Sequence, residues 1–198
     1  HGSLQYTSLA EKIQLQLLED EEFWNILKLE QWILFQSLDR IYIYNTKDES
    51  VNIINSKTVI TKIYKIDNGI YFQKINQGIY KFESGVETLI TDHPLLKDNI
   101  LVNIFKEGNQ LLYQTKDDGF YVMEGNQLQP WSIALNNKVN QYSTYNSIRL
   151  RNGDFVLGTV SDGVIYINSK KELVYNINQS VGLGNNTVLS LFEDKIGN

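Results

Sequence analysis

FVLGTVSDGVIYIN (Phe155 to Asn168) reads as an apolar strand, a tight turn at Asp162/Gly163 and a second apolar strand. The chain writes this pattern three more times, as WILFQSLDRIYIYN (Trp32 to Asn45), IYFQKINQGIYKFE (Ile70 to Glu83) and LLYQTKDDGFYVME (Leu111 to Glu124). Aligned without gaps, the copies are anchored at Arg40, Gly78, Gly119 and Gly163, which lie 38, 41 and 44 residues apart. A repeat of ~40 residues made of short strands marks a β-propeller blade. The fold class is therefore all-β: about four complete four-stranded antiparallel blades, with partial blades at both ends.

Working outward, each unit resolves into four strands. The first is apolar: Trp24 to Leu29, Thr61 to Ile66, Leu101 to Lys106, Ser147 to Arg151, and once more Val188 to Phe192. Turns follow at Glu30/Gln31, Asn68/Gly69, Gly108/Asn109, Asn152/Gly153 and Gly197/Asn198, where Asn and Gly tolerate positive φ. The second strand carries the apolar column Leu34, Phe72, Tyr113, Leu157 and ends in a tight turn before the third. Arg40 stands where the other copies have glycine, so the first blade is expected to use a different turn there. The third strands (Ile41 to Tyr44, Ile79 to Phe82, Phe120 to Met123, Val164 to Ile167) are nearly continuous apolar runs. The fourth are weaker, at Val51 to Ile54, Glu87 to Ile90, Leu128 to Ile133 and Leu173 to Ile177. Helix is expected to be nearly absent after Trp24.

These elements divide residues 4–198 into a partial blade (4–22), blades at about 23–60, 61–99, 100–145 and 146–186, and a partial blade (187–198). His1, Gly2 and Ser3 read as a tag scar. The segment from Leu9 to about Asp20 has a capping box and helical spacing, yet Ile13, Leu15 and Leu17 alternate with Gln14 and Gln16. The alternation favours strands at Leu4 to Thr7 and Ile13 to Leu18. Because the chain starts and stops within a repeat, it reads as a piece of a larger protein, and the unpaired ends of the arc predict a homodimer.

Composition removes several functions. The net charge is −5 with no Lys/Arg cluster, which argues against nucleic acid as a partner of this segment. There is no cysteine, so disulfides, thiolate metal sites and Cys nucleophiles are excluded together. No apolar run reaches the ~18 residues of a membrane span, so any membrane contact would come from parts of a parent protein outside this chain.

The stretch GLGNNTVLSLFEDKIGN (Gly182 to Asn198) resembles the two-component regulator propeller repeat. Gly182, Leu183, Asn186, Val188, Leu191, Glu193, Asp194, Gly197 and Asn198 match its pattern, and Gly158, Thr159, Asp162 and Gly163 look like its continuation. FWNILKLEQWILFQSLDRIYIYN (Phe23 to Asn45) is similar to the opening of sensor ectodomains of Bacteroidetes-type regulators. The resemblance implies a periplasmic ligand-sensing propeller. Its parent would be a membrane-anchored hybrid two-component or helix-turn-helix regulator, often responsive to carbohydrate breakdown products.

No residue set rises to a catalytic constellation, and no cofactor or metal is called for. His93 is a lone loop histidine, and Asp117 and Asp118 are adjacent turn residues that point to different sides. No DxDxDG calcium loop occurs. The chain is therefore read as a binding module and not an enzyme. The rivals are a propeller enzyme acting on polysaccharide, which needs two carboxyls roughly 5 to 10 Å apart, and a protein-interaction scaffold. Loops from second to third strand and from fourth strand to the next blade open on one face around the channel. That face would hold Asp39, Arg40, Gln77, Asp118 and Asp162, with Trp131, His93, Tyr142 and Tyr145 in or near the longer connections. Aromatic planes beside hydrogen-bonding groups suit an oligosaccharide or other small ligand.

Overall fold

The computed structural model describes residues 8–9, 17–125 and 127–194. The first sheet comprises Asn25–Leu29 (β1), Trp32–Gln36 (β2), Arg40–Asn45 (β3) and Val51–Asn55 (β4). The second comprises Ile60–Ile66 (β5), Gly69–Lys74 (β6), Gly78–Glu83 (β7) and Val86–Thr91 (β8). The third is built from Leu101–Glu107 (β9), Gln110–Thr115 (β10), Gly119–Glu124 (β11) and Gln127–Pro130 (β12). The fourth is Thr144–Arg149 (β13), Phe155–Thr159 (β14), Val164–Ile167 (β15) and Leu173–Ile177 (β16). Each sheet is an antiparallel meander in chain order. Pro130 is tolerated because β12 is an edge strand with no outer partner to bond.

The first strands of successive sheets pack side by side, β1 on β5, β5 on β9 and β9 on β13. They line the inside of an arc, and the sheets radiate from it as blades. The core lies between blades. Leu34 and Ile41 meet Ile60, Ile63 and Phe72 between the first two. Tyr71 and Ile79 meet Leu101, Ile104 and Tyr113 between the second and third. Leu112 and Phe120 meet Phe155 and Leu157 between the third and fourth. Full burial of such a side chain stabilises by about 1.5–3 kcal/mol, and it is reached only when a neighbouring blade covers the face. That is why the sequence repeats.

A column of buried glutamines stitches the blades. Gln36 Nε2 donates to the Ile60 carbonyl of the next blade at 2.8 Å. Gln73 Oε1 accepts from Leu101 N at 2.9 Å, and Gln114 Oε1 accepts from Ser147 Oγ at 2.5 Å. In the fourth blade this position is Gly158, where an added Cβ would lie 2.6 Å from the Val188 carbonyl. The chain from Val188 therefore presses on the fourth blade where the next inner strand would run. Val188 N donates to the Thr159 carbonyl at 2.9 Å, but Val188 to Phe192 forms no ladder and is not a strand, which corrects that expectation.

The turn at Arg40 is different, as expected from its missing glycine. Gln36 faces Ile41 and Ser37 N donates to the Arg40 carbonyl, leaving the two-residue turn Leu38–Asp39 without positive φ. In the second and third blades Lys74 faces Gly78 and Thr115 faces Gly119, leaving three turn residues. Gly78, Gly119 and Gly163 have φ of 131°, 95° and 81°. This one-residue difference corrects the gap-free alignment. Phe35, not Leu34, is the counterpart of Phe72, Tyr113 and Leu157, because a slip of one residue would otherwise turn every side chain to the wrong face.

Other expectations are corrected locally. The second blade turns at Asp67/Asn68, since Ile66 faces Gly69, and Asp67 itself has positive φ. The inner strand of the fourth blade is displaced to Thr144–Arg149. Helix is not nearly absent: Pro94–Asp98 (α1) and Ile133–Val139 (α2) are helical, with a 3-10 turn at Gln179–Val181. Ile133 thus opens a helix and does not close a strand. The cause is capping, as Ser132 Oγ accepts from Leu135 N at 3.2 Å and His93 Nδ1 from Leu95 N at 3.3 Å, with Pro94 in the first helical turn. The strand at Leu4 to Thr7, the turn at Gly197/Asn198 and most of the strand or helix near Leu9 to Leu18 lie outside the described residues; Leu17 and Leu18 have no regular structure.

Candidate functional site

One face of the arc carries a hydrogen-bonded rim. The turns between second and third strands bond to the segments leading into inner strands: Ile60 N to Leu38 O, Ile75 N to Val59 O, Lys116 N to Ile100 O, Thr144 N to Lys116 O and Val160 N to Ser143 O, all at 2.8–3.0 Å. These are the loops expected to share a face, and their backbone groups are consumed in holding it.

Below the rim the inner strands present one residue each at the same register: Asn25 opposite Gln36, Lys62 beside the Ile63–Phe72 pair, Asn103 opposite Gln114 and Asn146 opposite Gly158. In β5, β9 and β13 the position follows a ladder irregularity, which locally re-aims the strand. Lys62 Nζ spans from the second blade to the fourth and donates to Asn146 Oδ1 at 3.2 Å. Asn103 Nδ2 donates to the Ser147 carbonyl at 2.8 Å. Burial holds the Lys62 ammonium below its ordinary pKa.

Trp24, Asn25, Lys62, Tyr145, Asn146 and Leu189 enclose a cavity of about 300 Å³. A second, of about 180 Å³, shares Lys62 and Tyr145 and adds Ile100, Leu101, Val102, Lys116 and Thr144. Residues from both ends of the arc, Trp24 and Leu189, thus reach one space with Lys62 between them.

The sequence-predicted residues are distributed differently. Arg40 is tied into a structural cluster, its Nη1 donating to Tyr42 Oη at 3.2 Å and lying 4.0 Å from Glu21 Oε2. Glu21 also accepts from Ser37 Oγ at 2.6 Å and Tyr42 Oη at 2.5 Å. Asp39 lines a depression of about 300 Å³ with Leu18 to Glu22, Trp24, Ser37 and Leu38. Gln77 Nε2 donates to Thr58 Oγ1 at 3.2 Å. Asp118 and Asp162 donate their backbone N–H groups to Thr115 and Thr159 hydroxyls, as turn residues do.

Asp118 borders a smaller hollow with Tyr121, Pro130 and α2. Trp131 packs between the third and fourth blades, 5.8 Å from the Phe120 ring and 5.5 Å from Phe155, with Lys171 Nζ 4.3 Å over its indole. His93 caps α1, and Tyr142 packs on the same core as Trp131. Tyr145 alone of this set reaches the channel cavity. Asn25, Lys62, Asn103 and Asn146 were missed because polar residues in an inner strand read as ordinary alternation. The signal present was a lysine in the apolar strand ITKIYKI.

Comparison with solved structures settles the architecture. A domain named as the extracellular domain of the hybrid two component system BT3049 from B. thetaiotaomicron superposes over 87% of this chain and 24% of its own, with TM-score 0.60 and 13% identity. The fold is that of a β-propeller. The extracellular domain of the one component system BT4673 from the same organism matches over 86% of this chain and 25% of its own, with TM-score 0.63 and 16% identity. PorZ, a surface component of the type-IX secretion system of Porphyromonas gingivalis, matches over 78% and 21%, with TM-score 0.54 and 12% identity. The chain spans about a quarter of the first two. No protein-family model matches the chain, and no curated protein does. Among the described residues no helix is long and apolar enough to cross a membrane, and no group of three His, Cys, Asp or Glu could hold a metal.

Proposed function

We propose that the chain is a ligand-binding segment of an extracytoplasmic β-propeller sensor in a bacterial signal-transduction regulator, exposed to the periplasm, and that it binds without catalysing. The observation that carries this reading is the channel-mouth cavity, to which the first, second and fourth blades and the Val188 segment all contribute. A ligand there touches several blades at once, so its affinity depends on their relative placement. That dependence is what lets a ligand shift a conformational equilibrium. The likeness in fold to extracellular domains of two-component and one-component systems supports it.

Exposed Trp24 and Tyr145 beside Asn25 and Asn146 offer aromatic surface and amide groups, the chemistry that receives an oligosaccharide. The backbone N–H groups of Asp118 and Asp162 serve their turns. Calorimetric titration with a panel of oligosaccharides, with chromatography of the recovered sugars, tests the reading: saturable binding with sugars returned intact supports it. Turnover abolished by Asp118→Asn or Asp162→Asn would replace it with an enzyme.

A further inference from the structure

We propose that the channel mouth is an anion site, in which Lys62 receives the carboxylate or sulfate group of a small ring-shaped ligand whose apolar face lies along Trp24 and Tyr145. This deepens the sensing reading and rests on it only for biological meaning, because anion binding is measured directly.

The argument begins with charge. Four other cations on the strands are matched to acids, Lys74 to Glu87 at 2.5 Å, Lys81 to Glu83 at 2.7 Å, Lys106 to Asp67 at 2.6 Å and Arg149 to Glu107 at 2.7 Å, while the exposed Lys65 donates to the Lys28 carbonyl at 3.1 Å. Lys62 is half-buried, yet its hydrogen-bond partner is a neutral amide oxygen, Asn146 Oδ1. Among the described residues no carboxylate lines either cavity that it borders, and Lys116 adds a second ammonium to the inner one. The chain as a whole carries −5, so a pocket with two amines and no carboxylate among the described residues is a local departure from its composition.

Neighbouring blades show that the position does not need a cation. Asn25, Asn103 and Asn146 occupy it elsewhere and satisfy their blades with amide hydrogen bonds. A lysine carries a desolvation cost that asparagine avoids, and its lowered pKa records that cost. An ammonium has three donors and one is used on Asn146. An anion in the cavity would take another and offset the desolvation. The form of the space adds the rest: about 300 Å³ is room for a group larger than an ion, and its mouth is lined by a tryptophan and a tyrosine that are more than half exposed.

The test uses the whole chain at low ionic strength, titrated calorimetrically with glucuronate, galactose 6-sulfate, inorganic sulfate and glucose. The two sugar acids separate a carboxylate ligand from a sulfate ligand. At least one should saturate where glucose does not, and should bind more tightly than inorganic sulfate. Lys62→Met, which keeps the apolar stem, should weaken it at least tenfold with an unchanged circular dichroism spectrum. Lys116→Met should weaken it less. In wild-type protein labelled with ¹³C-lysine, the Lys62 Cε resonance should move on titration and that of exposed Lys47 should not. Absence of binding by both sugar acids, or equal affinity in Lys62→Met, would overturn the proposal. Inorganic sulfate binding as well as the sugar acids would overturn its ring component. A neutral oligosaccharide binding equally to wild type and Lys62→Met would sink the anion site while leaving the sensing reading intact.

Discussion

Replacing Gly163 with alanine tests the repeat at its tightest point. Gly163 immediately precedes β15 with φ of 81°, and an added Cβ would strike the carbonyl oxygen of Ile177, with Ile177 C and Asn178 Cα both at 3.0 Å. All three are backbone atoms at the end of β16, so no side-chain rotation relieves the contact. Gly85 is an internal control: its φ is 86°, and nothing lies within 4 Å of its Cβ position. Both substitutions impose positive φ on alanine at about 1–2 kcal/mol, partly offset by about 0.4–1 kcal/mol from a stiffer unfolded chain. Only Gly163→Ala adds the overpacking cost of about 1–3 kcal/mol. The sums are about 1 kcal/mol for Gly85→Ala and about 2–4 kcal/mol for Gly163→Ala. In a chain of this size that separates the melting temperatures by roughly 2–12 °C. Urea denaturation with equal m-values would read the difference as separate midpoints. Coincident midpoints would refute the idea that glycine is required there by the crossing of β16.

Gln73→Met should cost about 2–4 kcal/mol in urea denaturation, because it strands the Leu101 N–H and the Leu96 and Asn99 carbonyls that Gln73 now bonds; a cost under 0.5 kcal/mol would mean the blades are not latched there. For Glu21, burial pushes the carboxyl pKa up, but hydrogen bonds from Ser37, Tyr42 and Leu18 N–H with the Arg40 charge bring it below its ordinary value. A depressed folded pKa gives stability present above the unfolded value near ~4.3 and lost as pH falls through the folded one. The urea midpoint should therefore drop on acidification below pH ~4, with a shallower drop in Glu21→Gln; parallel curves would contradict it. Ile26 at one end of the arc, and Tyr175, Ile177 and Phe192 at the other, are exposed, so light scattering should report a dimer, and a monomer at high concentration would contradict that expectation.

The architecture was legible because propeller strands are short and local. Alternation, Asp-Gly or Gln-Gly turns and a spacing of 38 to 44 residues place the blades without any long-range information, and even the exception at Arg40 announced itself by its missing glycine. What the residues could not show was register inside the first blade. A two-residue turn at Leu38–Asp39 and a three-residue turn before Gly78 leave the same spacing in sequence, and only the ladder partners Gln36 and Ile41 reveal the slip. The helices α1 and α2 escaped because each is short and held by a cap at His93 or Ser132, not by an apolar stripe. The expected loops do share a face, and most of the residues proposed on it also have places in the hairpins or between the blades. Asp118 and Asp162 give their backbone N–H groups to their own hairpins, and Trp131 fills the gap between blades. Lys62, Asn103 and Asn146 converge from sequence positions far apart, and their meeting depends on the curvature of the arc.

The most direct measurement for the account as a whole is amide chemical-shift mapping of the ¹⁵N-labelled chain during titration with a ligand that binds it. The shifts are predicted to gather on Asn25, Lys62, Tyr145, Asn146 and the rim residues Ile100 and Lys116, where the inner strands of three blades and the Val188 segment meet. Shifts confined to the outer strands β4, β8, β12 and β16, with the channel residues unmoved, would contradict the claim that this propeller binds its ligand at the channel mouth.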